Sequence, residues 1–96
     1  MTENELKHYV LRVARMNGWM VKDSSQSRIV RPVKGESSGW PDLALVRDGE
    51  LLFMELKTDD GMLSPDQYRW QIGLHPRYHV IRPRDLDAGR LVELLG

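Results

Sequence analysis

Residues 39–57, GWPDLALVRDGELLFMELK, decide how this chain folds. At the centre stands Asp48-Gly49, a dipeptide that tolerates the positive φ angles of a two-residue hairpin turn. Apolar residues flank it on both sides, LALV at 43–46 and LLFM at 51–54. The pattern predicts two antiparallel strands over 42–47 and 50–57. Pairing across the turn sets Val46 or Arg47 near Glu50 or Leu51, and Asp42 near Glu55. Strand side chains alternate between faces, so Glu55 and Lys57 point the same way while Leu56 turns into the core. Glu55 is the anomaly. It sits in a run, LLFMEL at 51–56, that is apolar on both faces. Such a strand is buried on both sides, and a carboxylate there is costly unless a cation or metal compensates it.

A Glu-x-Lys pair on a strand is, by itself, usually a solvated surface feature. Here the hairpin adds a second carboxylate, Asp42, at the same end. Two acids close together invite a divalent cation, and the lysine is a further partner. The two carboxylates, a backbone carbonyl such as that of Leu56, and waters form an oxygen-only shell. That chemistry suits Mg²⁺ or Mn²⁺ rather than zinc. The ion would acidify a water and neutralise a phosphate oxygen. Lys57 would orient or deprotonate the attacking water, or hold the scissile phosphate. The expected chemistry is phosphodiester hydrolysis by in-line attack.

Upstream, residues 2–17 read as a helix, with Leu6, Val10, Val13 and Ala14 forming one apolar stripe. Thr2 and Glu5 fit a capping box, and Gly18 is a natural stop. A short strand over 19–22, a turn over 24–27, an extended edge segment over 28–33 and a polar loop over 34–39 come next. Downstream, residues 58–63 are a loop. Ser64 then caps a helix with Pro65 at its first position and Gln67 completing a second capping box. That helix runs to about Leu74 and is broken at His75-Pro76. A strand over 78–82, ended by Pro83, and a last helix over 87–95 complete the chain. Met16, Met20, Met54 and Met62 read as core filler, and Trp70 as packing. The order predicts an α/β fold, a central mixed sheet flanked by helices, in one domain over 1–96.

Composition narrows the function classes. Fourteen Lys and Arg balance fourteen Asp and Glu in 96 residues, with an isoelectric point near 6.8. This excludes a globally basic nucleic-acid coat. The absence of cysteine removes disulfides, thiolate zinc sites and cysteine nucleophiles, and suits a reducing compartment. No apolar run approaches the length of a membrane span, and the polar opening MTENELKH is no signal peptide. A cytoplasmic location is expected. His8, His75 and His79 have no partners at zinc spacing, and no Gly-rich phosphate loop or nucleophile elbow is present. Basic residues do cluster locally: Arg28, Arg31 and Lys34 precede Asp42, with Arg47 and Arg69 as additions. They read equally as a nucleic-acid wall or a solvated edge. Trp40 reads as a wedge against a base or as packing under the site.

Taken together, Gly39-Trp40-Pro41-Asp42, then Glu55-Leu56-Lys57, then a helix opening Ser64-Pro65-Asp66-Gln67 and carrying Trp70, resemble the virus-type replication-repair nuclease (VRR-NUC) branch of the PD-(D/E)XK superfamily. An N-terminal helix with Glu5, a late strand and a short terminal helix extend the resemblance over almost the whole chain. It implies a restriction-endonuclease-like core. It implies that Asp42 and Glu55 bind metal, that Lys57 is the catalytic lysine, and that Glu5 and Gln67 support the site. Capping also explains Glu5 and Gln67 without chemistry. The resemblance further implies a structure-selective DNA endonuclease of phage or bacterial intracellular origin, homodimeric, with four-way junctions as substrate. The rival expectations are a non-catalytic nucleic-acid-binding module and a subunit activated by a helicase or another replication partner.

Overall fold

The computed structural model describes residues 1–25 and 35–96. The expected extended segment over 28–33, with Arg28 and Arg31, and also Lys34, lie outside the described residues. The elements run α1 (Glu3–Met16), β1 (Met20–Asp23), β2 (Leu43–Arg47), β3 (Glu50–Leu56), α2 (Pro65–Leu74), β4 (Tyr78–Ile81), α3 (Pro83–Asp87) and α4 (Arg90–Leu95). The fold is α/β: one four-stranded mixed sheet flanked by helices, compatible with a restriction-endonuclease-like core. Strands lie in the order β1-β2-β3-β4. The first two pairings are antiparallel and β3 pairs with β4 in parallel. No helix among the described residues is long and apolar enough to cross a membrane.

The hairpin forms as its sequence dictates. Asp48 and Gly49 have φ of 48° and 84°, the two positive angles of a turn whose twist matches its strands. Arg47 then pairs with Glu50, and Leu43 with Met54. The alternation of β3 sorts its side chains between two layers. Leu52, Met54 and Leu56 join Leu43, Leu45 and Ile81 on the face packed against Leu6, Val10 and Ala14 of α1 and Leu91 and Leu95 of α4. Phe53 and Glu55 point to the opposite face, where α2 lies. α1 starts as expected: Thr2 Oγ1 accepts from the Glu5 amide at 3.1 Å, and Glu5 Oε1 accepts from the Thr2 amide at 3.0 Å.

Three expectations are corrected. Of the four methionines expected as core filler, only Met54 is in the core; Met16, Met20 and Met62 are 78%, 71% and 80% exposed. Met16 lies off the Leu6/Val10/Ala14 stripe, Met20 faces away from α1 beside Val46, and Met62 sits in a loop. The last helix is two short ones, because Gly89 adopts a left-handed φ of 72° between them. Pro83 starts α3 as well as ending the strand, and the Arg82 amide donates to Asp85 Oδ2 at 2.6 Å. Arg47 does not join a basic wall. It lies at the end of β2 remote from Asp42. There its guanidinium donates to the carbonyls of Asn17 (2.9 Å), Leu95 (3.0 Å) and Gly96 (3.3 Å) and covers the Trp19 ring at 4.4 Å. Helix C-termini carry unsatisfied carbonyls and partial negative charge, so one cation closes the ends of α1 and α4 together.

This packing makes two measurements informative. Arg47→Met should lower unfolding free energy by roughly 0.5–2 kcal/mol, because the helix-end carbonyls lose a charged donor; a urea titration reads the shift. His79 on β4 is held below its ordinary pKa of 6.5, first by burial and then by the Arg90 charge. Above that value both folded and unfolded chains carry it neutral. As pH falls below it, the unfolded chain takes up a proton that the folded chain resists, so stability falls with acidification. His79→Gln should flatten that part of the stability–pH curve.

Candidate active site

The site grows from the point where the β2–β3 ladder ends. Extending the register by one step beyond Leu43–Met54 sets Asp42 opposite Glu55 on the same face. β2 stops at Leu43, so its backbone does not reach the Leu56 amide. The Asp42 side chain does: its Oδ2 accepts from Leu56 N at 2.9 Å. The amide and carbonyl of one strand residue point to the same edge. The Leu56 carbonyl therefore also faces the Asp42 edge while its side chain stays in the core. The next amide, that of Lys57, points the other way and donates to the Ile81 carbonyl at 3.0 Å.

Glu55 is fully buried and Asp42 is 3% exposed. Glu55 Oε2 accepts from Gln67 Nε2 at 3.0 Å and lies 3.6 Å from Lys57 Nζ. The other end of the Gln67 side-chain amide, Oε1, accepts from the Ser64 main-chain N–H at 2.8 Å, and Ser64 Oγ accepts from the Gln67 main-chain N–H at 3.2 Å. Capping and site contact are thus not alternatives for Gln67; one side chain does both. Tyr78, buried on β4, reports the same convergence. Burial, then the charges of Glu55 and Asp42, push its phenol well above the ordinary range, so it stays neutral.

α2 reaches Glu55 because the chain before Asp42 clamps onto its first turn. Gly39 has φ of 88°, and a Cβ there would stand 2.8 Å from the Asp66 carbonyl carbon and 2.9 Å from the Gln67 nitrogen. Only glycine allows this approach. Ser38 Oγ hydrogen-bonds Asp66 Oδ2, and Trp70 Nε1 donates to the Ser38 carbonyl at 2.8 Å. This clamp carries the weight, because α2 has no buried residue of its own. On the other side of the site, Arg82 Nη1 donates to the carbonyls of Thr58 (2.7 Å) and Gly61 (2.6 Å), fixing the loop after Lys57.

The structure brings Asp42, Glu55, Leu56, Lys57 and Gln67 together. It does not bring Glu5. That side chain is exposed and closes the capping box, where the Thr2 amide and hydroxyl hold its carboxyl below the usual value. Glu3, with Asn4 and Lys7, lines an open cleft of about 220 Å³ beside Ser25, Asp42 and Leu56. Residues two apart on a helix face different ways, and residues four apart share a face. The sequence does not single out Glu3 or Lys7 by motif; their i,i+4 spacing is the one signal that could have found them. Lys7 Nζ lies 3.2 Å from Asp23 Oδ2 and donates to Ser25 Oγ at 3.2 Å. Burial raises the Asp23 pKa, but the Ser25 hydroxyl and amide and Lys7 outweigh it and hold the carboxyl below its usual value.

Of the expected nucleic-acid contacts, Trp40 is 44% exposed. Arg69 is a solvated residue on α2, 3.8 Å from Asp66.

Among the described residues no three His, Cys, Asp or Glu side chains converge as a metal cluster. An ion at this site would take two carboxylates and a main-chain carbonyl and keep waters. This all-oxygen donor set fits a hard, reluctantly dehydrated cation such as Mg²⁺. No family model, curated protein or solved structure matches the chain.

Gly39→Ala tests the clamp. The left-handed φ and the backbone clash should together cost roughly 2–4 kcal/mol, read by chemical denaturation. Gly35→Ala is the comparison, since a Cβ there meets no atom within 4 Å. It should cost no more than the strain of its own positive φ.

Proposed function

We propose that this chain is a divalent-metal-dependent DNA endonuclease of the VRR-NUC kind in the PD-(D/E)XK superfamily. It hydrolyses phosphodiester bonds, selects branched structures such as four-way junctions, and works as an intracellular homodimer. One observation carries the reading. Two buried carboxylates, Asp42 and Glu55, face each other across neighbouring strands with the Lys57 ammonium 3.6 Å from Glu55. Burying two acids side by side is costly without cations. Lys57 is one such cation, and a hard divalent ion is the natural second.

Asp42, Glu55 and the Leu56 carbonyl would hold Mg²⁺ or Mn²⁺, which when bound acidifies a water and neutralises phosphate charge. Gln67 fixes the orientation of Glu55 through its amide. Lys57 orients the attacking water or holds a non-bridging phosphate oxygen, where its charge counters that of the transition state. The water oxygen bonds to phosphorus as the ester P–O bond opposite it breaks. One strand end keeps the phosphate and the other becomes a hydroxyl; the proton lost by water balances the one gained by the leaving oxygen. A two-fold dimer would present two such sites to a symmetric junction. With no net charge, general phosphate attraction is weak, so shape has to supply the selectivity.

Labelled linear, flap and four-way-junction DNAs incubated with Mg²⁺ or Mn²⁺ test this. Symmetric paired nicks in the junction are expected, abolished by chelation. Asp42→Ala, Glu55→Ala and Lys57→Ala should each lower the rate by at least about 100-fold with unchanged circular dichroism. Undiminished cleavage in all three refutes the proposal. Junction binding without cleavage would instead mark a non-catalytic module, and cleavage only on adding a helicase would mark a partner-activated subunit.

A further inference from the structure

Three of the four polar side chains of the site have an aromatic residue two or three positions away in the sequence. Trp40 precedes Asp42 by two residues, Phe53 precedes Glu55 by two, and Trp70 comes three after Gln67. The three rings form one cluster: Trp40 meets Phe53 at 5.4 Å and 79°, and Trp70 at 4.8 Å and 89°. Both are edge-to-face contacts that fix a ring firmly. Phe53 is 7% exposed and the Trp70 indole is tied to Ser38, so these two are supports. Trp40 is not enclosed: it is 44% exposed. An indole braced on two sides, 44% exposed and packed on Phe53, which shares its sheet face with Glu55, is a rigid surface on the carboxylates' side of the sheet.

A second feature adjoins it. Ser37, Ser38, Asp66, Arg69, Trp70 and Gly73 line an open cleft of about 250 Å³. Gly73 lies inside α2, where glycine is unfavourable relative to alanine. A Cβ built there meets nothing within 4 Å, so packing does not require it. Arg69, its side chain 80% exposed and 3.8 Å from Asp66, supplies at the rim a cation that one acid of the same cleft partly balances.

We propose that Trp40 stacks an unpaired base of the substrate strand next to the scissile phosphate, and that Arg69 holds a neighbouring phosphate along the cleft. This rests on the nuclease reading only for where the strand runs. It deepens that reading by naming the feature selected: a base out of its duplex, as at a branch or frayed end. Any base has a π-face, so such a platform reads unpairing and not sequence. A base within a continuous duplex is stacked on its neighbours and cannot offer that face.

Binding without cleavage tests it. Fluorescence anisotropy in chelator monitors the full chain with a short labelled single strand, intact or with one abasic residue moved along it. In the native chain one abasic position should weaken binding by about 5- to 150-fold, the range for losing one base–aromatic stack. Trp40→Leu, which fills the space without a π-face, should abolish that position dependence, and Trp40→Phe should keep part of it. Arg69→Gln should lower the salt dependence by one phosphate contact, a slope change of about 0.7. A comparison of intact and abasic strands within each variant separates stacking from any general loss of stability. No abasic penalty in the native chain, or the same penalty in Trp40→Leu, overturns the proposal. A chain that cleaves junctions but shows no abasic effect loses the platform alone. A chain that never cleaves but shows a Trp40-dependent effect loses the nuclease reading and keeps the platform.

Discussion

A fully buried carboxylate on the inner strand β3 is the constraint around which the rest is arranged. Glu55 sits at 0% exposure, where an ionised acid is tolerated only with donors and counter-charge at hand. Those come from different parts of the chain. Lys57 arrives on the same strand and Gln67 on α2, while the hairpin register brings a second acid, Asp42, opposite. Gln67 in turn depends on Gly39, whose bare α-carbon lets residues 38–40 close against the start of α2. The chain of dependence runs from a glycine to a helix to an amide to a buried acid.

The sheet divides its labour by face. Its alternating side chains put Leu43, Leu45, Met54 and Leu56 on the side held by α1 and α4, where apolar burial supplies most of the stability. The opposite side carries Ala44, Phe53, Glu55 and Tyr78, and α2 attaches there mainly by polar contacts and the aromatic cluster. The two ends of the sheet differ as well. Arg47 ties helix termini at one end, and the carboxylates gather at the other. The helix-tying cation and the buried acids are kept apart along a five-residue strand.

What the sequence made legible was local. Asp48-Gly49 sets the turn, the turn sets the register, and the register sets Asp42 against Glu55; each step spans a few residues. Ser64-Pro65 likewise marks the start of α2 from neighbouring residues alone. What stayed hidden depended on distance or on helical phase. Glu5 matches a capping box so well that it draws attention away from Glu3, which lies on the face that turns to the cleft. Arg47 resembles one more surface cation, because its acceptors at 17, 95 and 96 are remote in sequence. Gly89 looks interior to a helix, since one glycine among helix formers is tolerated and nothing nearby marks a break. The methionine positions show a similar limit: hydrophobicity does not say which face of an element has a neighbour.

At position 67 one amide serves two masters. Proteins often trade robustness against turnover, because groups suited to chemistry are strained or poorly packed. Here a helix cap and the donor to a buried acid share one side chain. The oxygen end of the side chain secures the beginning of a helix, and the nitrogen end steadies the acid below it. Replacing this residue therefore removes a helix cap and a buried acid's donor in one step.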